Sequence, residues 1–141
     1  MTEPKPSPQT QELRTRIMSS LWLIAISIGA SVAGQTVLKI GMSTPEANAL
    51  PQGVLSLVLL ILRSPWILVG LALYGIGALA WIAVLGRLDL SYAYPFLALN
   101  FVLITLVSWT VLGETIPWQR WLGVLVICLG IFLVAQSGAM E

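Results

Sequence analysis

Two ionisable residues lie at the edges of long apolar runs, where a charged group is costly unless it is paired or used. Lys39 is in the last turn of the first run, and Glu114 comes directly after the third. The Lys39 ammonium could hold an anionic head group such as a phosphate. Alternatively, Lys39 could extend to the membrane interface or pair with Glu114. The sequence leaves both interpretations open.

Two arginines could add to an anion site on the same side of the membrane. Arg63 precedes the second long apolar run, and Arg120 lies at the start of the fourth. A guanidinium group donates two parallel hydrogen bonds, which suits a phosphate. Arginines at the edge of a membrane span also commonly serve only as anchors. Arg63 and Arg120 are therefore candidate phosphate contacts, with anchoring as the alternative.

Other site chemistries are disfavoured by the residues available. The chain has no histidine, and its one cysteine, Cys128, lies in an apolar run. Asp89 and Glu114 follow successive apolar runs, so they fall on opposite sides of a ~30 Å hydrocarbon core and cannot act as an acid/base pair. The net charge of +1 provides no basic stripe for nucleic acid. We therefore expect no enzyme activity, no metal and no cofactor.

Four long apolar runs must position these residues. They span approximately residues 18–40, 66–86, 93–112 and 118–136, in a chain that is 57% hydrophobic and 9% charged. Each run is close to the ~20 residues with which a helix crosses a bilayer. We predict an all-α bundle of four transmembrane helices over residues 18–141. Pro4, Pro6 and Pro8 disfavour regular structure before it, so residues 1–17 are expected to form a disordered polar tail.

A fifth apolar segment, within residues 50–62, is too short to span a bilayer, and Arg63, Ser64 and Pro65 separate it from the second run. We predict a short interfacial or re-entrant helix between helices 1 and 2, although the second span could instead start early and tilt.

Positive charge is distributed with a weak bias that favours cytoplasmic termini. One side would carry Lys5, Arg14, Arg16 and Arg87, and the other Lys39, Arg63 and Arg120. Insertion in two opposite orientations is the alternative.

Three runs each place small, hydroxyl or aromatic residues on one helical face, at ~100° per residue. These faces are Ser20, Ser27, Ser31 and Gln35 in the first run, Gly70, Tyr74, Gly77 and Trp81 in the second, and Tyr94, Ala98, Phe101, Thr105 and Ser108 in the third. Such faces usually pack helices together, but they could also line a cavity. The candidate substrate-binding residues are Lys39, Gln35, Glu114, Tyr74, Trp81 and Tyr94. Asn100 points ~120° away from the third face, so we expect it to bond a neighbouring helix.

The fourth run has two glycines seven residues apart, Gly123 and Gly130, with Ile127 and Val134 beside them. This pattern favours close approach by another helix, which we interpret as a dimer interface, with packing inside one subunit as the alternative. Four short helices enclose little volume, so we expect a homodimer or a heterodimer with a related short chain.

The second half of the chain resembles the repeat unit of the drug/metabolite transporter superfamily, which includes EamA-like proteins. The resemblance rests on residues 88–95, with Ser91, Ala93, Tyr94 and Pro95, on Leu112-Gly113-Glu114, and on Gly123 through Gly130. Among four-span members the chain is most similar to the small subunits of the 4-amino-4-deoxy-arabinose–phosphoundecaprenol flippase. The glycines of the fourth run also match the dimerisation helix of the small multidrug resistance proteins.

This resemblance implies a multi-pass flippase of the bacterial inner membrane that moves a polyprenyl-phosphate-linked sugar or a similar anionic amphiphile. Small multidrug resistance exporters carry a glutamate in the middle of their first helix, whereas residues 21–40 here contain no acid and include Lys39. That difference favours an anionic substrate. Two alternatives are export of a small solute or cationic drug, and service as a non-transporting accessory subunit of a larger membrane complex.

Overall fold

The computed structural model describes residues 7–49 and 53–137, and the regular structure of these residues is entirely helical. The helices are α1 (Pro8–Met42), α2 (Pro45–Ala49), α3 (Val54–Arg63), α4 (Pro65–Leu85), α5 (Leu90–Thr110) and α6 (Trp118–Ser137). The all-α prediction is confirmed. By length and hydropathy α1, α4 and α5 qualify as membrane spans, while α6 is a shorter apolar helix over Trp118–Val134.

Helix α1 begins well before the predicted span. Pro8 occupies the first turn, where its missing N–H costs little, and Ser7 caps the helix by accepting a hydrogen bond from the backbone N–H of Thr10 at 3.4 Å. Residues 8–17, which we expected to belong to a disordered tail, are therefore helical. Residues 1–6 of that predicted tail lie outside the described part of the chain.

The most extensive helix–helix interface joins α1 and α4. Glycines allow the two backbones to approach closely: a Cβ on Gly34 would lie 2.7 Å from the backbone nitrogen of Tyr74. The buried hydroxyl of Ser27 donates a hydrogen bond to the carbonyl oxygen of Gly77 at 2.8 Å. At Ser27 and Gly77 the predicted small-residue faces therefore serve helix packing.

Helix α5 packs on a neighbouring face of α1 and closes one end of the molecule. The buried core there consists of Ile24, Ile28, Val32, Val84 and Ala93. It lies where α4 leads into α5 through residues 86–89. Trp81 and Phe96 pack against this core.

Helix α6 packs mainly on α5, where the rings of Trp109 and Trp121 meet edge to face with centroids 5.8 Å apart. The four long helices consequently form a more open arrangement than a closed bundle, with α6 on the outer side of α5.

Helix α3 is separate from α4. Ser64 between them is extended, with ψ of 113°, because the ring of Pro65 disfavours helical geometry in the preceding residue. A short helix between the first two long helices is thus present, and it is not continuous with α4. The position of α3 relative to the membrane interface stays a prediction.

Candidate functional site

Lys39 and Glu114 meet at the end of the molecule opposite the packed core. The Lys39 Nζ lies 3.6 Å from the Glu114 Oε1, and the side chains are 58% and 37% exposed. Lys39 comes from the last turn of α1, whereas Glu114 follows α5. The structure therefore contains the ion pair that the sequence offered as one interpretation of Lys39. Because both side chains are partly exposed, the pair is accessible to a third charged group.

The turn after α5 positions Glu114. Gly113 adopts a left-handed conformation with φ of 64°, which glycine accepts without the Cβ penalty of other residues. The backbone N–H of Glu114 then donates to the carbonyl oxygen of Ser108 at 2.9 Å. This bond holds Glu114 beside the last turn of α5, within reach of α1.

A cavity of about 280 Å³ adjoins the ion pair between α1, α5 and this turn. Its lining residues are Gln35, Thr36, Lys39, Ile104, Val107, Ser108, Leu112 and Glu114. The volume lies at the lower end of the range for small-molecule pockets. It suits a head group such as a single sugar or a phosphate, whereas a long lipid tail would have to remain outside. Three predicted site residues, Gln35, Lys39 and Glu114, are therefore brought together.

The three aromatic residues predicted for the same site do not line this cavity. The rings of Trp81 and Tyr94 form an edge-to-face pair with centroids 6.2 Å apart, near the packed core. Tyr74 and Tyr94 are 45% and 54% exposed. Ser108, from the same predicted face of α5, lines this cavity beside Gln35 of α1, whereas Tyr94 and Phe101 lie outside its lining. A cavity shared by all three predicted faces stays a prediction. A substrate contact by these aromatics stays a prediction.

Arg63 and Arg120 are exposed and also lie outside the cavity lining. Arg63 ends α3, and Arg120 lies in the first turn of α6. Their proposed contact with a phosphate stays a prediction.

The glycines predicted for a dimer interface are exposed and contact no other helix in the described part of the single chain. A Cβ added to Gly123 or Gly130 would meet no atom within 4 Å, and both residues are exposed. Ile127 between them is only partly buried. Packing inside one subunit therefore does not account for these glycines in the described part of the chain.

Sequence reasoning missed one polar residue of the cavity and misplaced a polar residue of α5. Thr36 lines the cavity, and it could have been identified because it lies three residues before Lys39 on the same helical face. Ser108 also lines the cavity, in agreement with its place on the third predicted face. Asn100 was expected to bond a neighbouring helix. Its Oδ1 is instead buried without a hydrogen-bond partner in the described part of the chain.

The sequence of the chain matches a known protein family. The family model described as the EamA-like transporter family matches residues 15–136. A Pseudomonas fluorescens Pf0-1 protein named "Probable 4-amino-4-deoxy-L-arabinose-phosphoundecaprenol flippase subunit ArnE" is 37% identical over 118 residues, which cover 84% of this chain and 98% of that protein. No solved structure matches the chain.

Two further relatives carry the same name. The protein from Pseudomonas savastanoi pv. phaseolicola is 49% identical over 80 residues, which cover 57% of this chain and 70% of the relative. The one from Aeromonas hydrophila is 45% identical over 73 residues, covering 52% and 64%. The expected superfamily and the expectation of a transporter in place of an enzyme are confirmed by the family match. The chain belongs to the EamA-like transporter family, and it is a multi-pass membrane transporter.

Proposed function

We propose that this chain is a flippase subunit that moves a polyprenyl-phosphate-linked sugar across the bacterial inner membrane. The observation that carries the proposal is the Lys39–Glu114 pair beside a head-group-sized cavity. The substrate in the relatives' name combines an amine on the sugar with a phosphate. A site with one cation and one anion is complementary to such a head group.

Substrate capture exchanges one ion pair for two. The phosphate takes the Lys39 ammonium, and the amine of the sugar takes the Glu114 carboxylate. Because the Lys39–Glu114 pair is partly exposed, opening it costs little. The polyprenyl tail stays in the lipid while the cavity shelters the head. Gln35 supplies a neutral hydrogen-bonding group for the sugar at the cavity wall.

A second short chain completes the transport unit. The relatives are named as subunits, and the open arrangement of α6 on the outside of α5 leaves Gly123 and Gly130 available to another helix. The partner is either a second copy or a related short chain. In the assembled protein α6 is the fourth span, α3 lies at the membrane interface, and both termini face the cytoplasm.

The decisive experiment is flipping of a fluorescent polyprenyl-phosphate-linked aminosugar in proteoliposomes, with the parent chain alone and with a related short chain added. Replacing Lys39 with Ala removes the cation that holds the phosphate, so we expect the Lys39→Ala variant to lose at least about tenfold in flipping rate. Arg87→Ala is the matched control, because Arg87 is an exposed cation outside the cavity.

Equal rates for the parent and the Lys39→Ala variant, with both correctly folded, would remove Lys39 from the mechanism. Proton-coupled uptake of a small cation that depends on Glu114 would instead support the alternative of a small-solute exporter.

A further inference from the structure

Asn100 places an amide at the centre of the helix that forms one wall of the cavity. It is the middle residue of the 21-residue α5. With a rise of 1.5 Å per residue, it lies ~15 Å from either end of this span, near the bilayer centre. Its Oδ1 is buried and has no hydrogen-bond partner among the residues that the structure describes.

The helical register of α5 places Asn100 between the packed core and the cavity. Ile104 and Val107, four and seven residues further along, line the cavity and also pack against the core. Phe96 and Ala93, four and seven residues earlier, belong to or pack against the core. Spacings of four and seven residues share one helical face. Asn100 therefore lies on the helix face that packs against the core, about one helical turn before Ile104 of the cavity lining.

Packing does not explain a polar side chain at this position. A buried amide oxygen without a donor is unfavourable in an apolar interior, and a leucine would avoid that cost. The two threonines of α5 are satisfied within the helix: the Thr105 hydroxyl donates to the carbonyl oxygen of Phe101 at 2.8 Å, and that of Thr110 to the carbonyl oxygen of Leu106 at 2.7 Å. Unpaired polar groups at membrane depth commonly mark a path for polar cargo.

We propose that Asn100 is a second binding site for the substrate head group, which contacts Asn100 as it moves between the Lys39–Glu114 site and the other side of the membrane. This inference rests on the proposed function. The free Oδ1 is an acceptor, so it binds a donor, which a sugar hydroxyl or ammonium group provides. An ionised phosphate offers only acceptor oxygens and cannot satisfy Oδ1, whereas one sugar hydroxyl can donate to Oδ1 and another can accept from the Nδ2 of the same amide. Asn100 therefore recognises the sugar part of the head group during its passage through the bilayer centre.

The test is the Asn100→Leu variant, which keeps a similar volume and removes the amide. Capture at Lys39 and Glu114 is untouched, so KM for the lipid-linked aminosugar should stay within about twofold of the parent value. The maximal flipping rate should fall about tenfold, since one buried hydrogen bond is lost at the midpoint. Removal of an unsatisfied polar group should leave the thermal unfolding midpoint unchanged or raise it.

Thr105→Val is the matched control on the same helix, because the Thr105 hydroxyl already donates to its own helix. It should flip at the parent rate. A parent rate in the Asn100→Leu variant would overturn the inference. So would a lowered unfolding midpoint with loss of the dimer, since the amide would then be holding a partner helix. A parent protein that flips no lipid-linked sugar would overturn the proposed function, and this inference with it.

Discussion

Gly113 determines where the Glu114 carboxylate lies, although it contributes no side chain of its own. Its left-handed backbone ends α5 and allows the Glu114 N–H to bond the Ser108 carbonyl oxygen. A left-handed conformation costs most residues roughly 1–2 kcal/mol. The ion pair with Lys39 depends on this turn, so the glycine acts on the site through Glu114.

Replacing Gly113 with Ala should therefore destabilise the turn by about 1 kcal/mol and weaken transport by displacing Glu114 from Lys39. A Cβ at this position would meet no atom within 4 Å, so the effect comes from the backbone alone. Unfolding in detergent and the flipping rate are the two measurements. Asn, which tolerates the left-handed region, should recover much of the loss.

The control is Gly29→Ala, at an equally open position in the middle of α1. It should leave the flipping rate near the parent value and leave stability unchanged or raised, because alanine is the better helix former. If Gly113→Ala behaved like Gly29→Ala, the left-handed turn would not be required for the site.

The sequence indicates the Lys39–Glu114 pair because both residues fall at the same edge of the membrane, and a charge there favours a partner. It does not indicate the environment of Asn100. Apolar residues are distributed evenly around helix α5, so periodicity cannot distinguish the face that packs on α1 from the one that faces lipid. For the same reason Tyr94 was expected in the cavity that Ile104 and Val107 line.

At the scale of elements, the α1–α4 pair is the most closely packed part of the molecule, and its glycines are the cause. Gly70 of α4 approaches Leu38 and Gly34 of α1 so closely that an added Cβ would lie 2.8 Å from the Leu38 backbone nitrogen. Backbone atoms cannot move aside as the end of a flexible side chain can. This α1–α4 interface fixes the position of α1 along α4, and with it the position of Lys39.

Gly70→Ala should consequently separate the two helices and destabilise the protein by roughly 1–3 kcal/mol, the usual cost of overpacking. Gly75→Ala is a matched control in the same helix, since a Cβ on Gly75 would meet nothing within 4 Å. Thermal unfolding followed by circular dichroism compares the two. Equal unfolding midpoints for the two variants would show that the α1–α4 interface has room for a methyl group.

Element boundaries were easier to predict where the chain contains a local signal. Pro65 predicted the break between α3 and α4, because proline restricts the residue before it. Pro8 was interpreted as a helix breaker, yet it starts α1, because a proline in the first turn lacks only an N–H that has no helical partner. The two cases differ in position, which the residue type alone does not reveal.

At the scale of the whole molecule, one end is closed and the other contains a cavity. The core around Val84 and Ala93, both with no exposed area, closes the end at which α4 turns into α5. The Lys39–Glu114 cavity lies at the opposite end. Alternating access also requires a state in which the core end is open and the cavity end is closed. The α1–α5 contact therefore has to rearrange during the transport cycle. A second chain against α6 would support α5 during this movement.

Substitution of Gly123 by Leu should test that second chain directly. The single chain has room for the new side chain, because no atom lies within 4 Å of a Cβ at this position. The fold should therefore survive, with an unchanged unfolding midpoint in dilute detergent. If α6 packs against a second helix through Gly123 and Gly130, the leucine holds the two backbones apart and should weaken the dimer at least about tenfold. Native mass spectrometry measures the dimer fraction as the protein is diluted.

Gly75→Leu, at a similarly open position on α4, should leave that fraction unchanged. If Gly75→Leu dissociated the dimer and Gly123→Leu did not, the interface would lie on α4, and the two substrate sites of the dimer would have to be arranged around that helix.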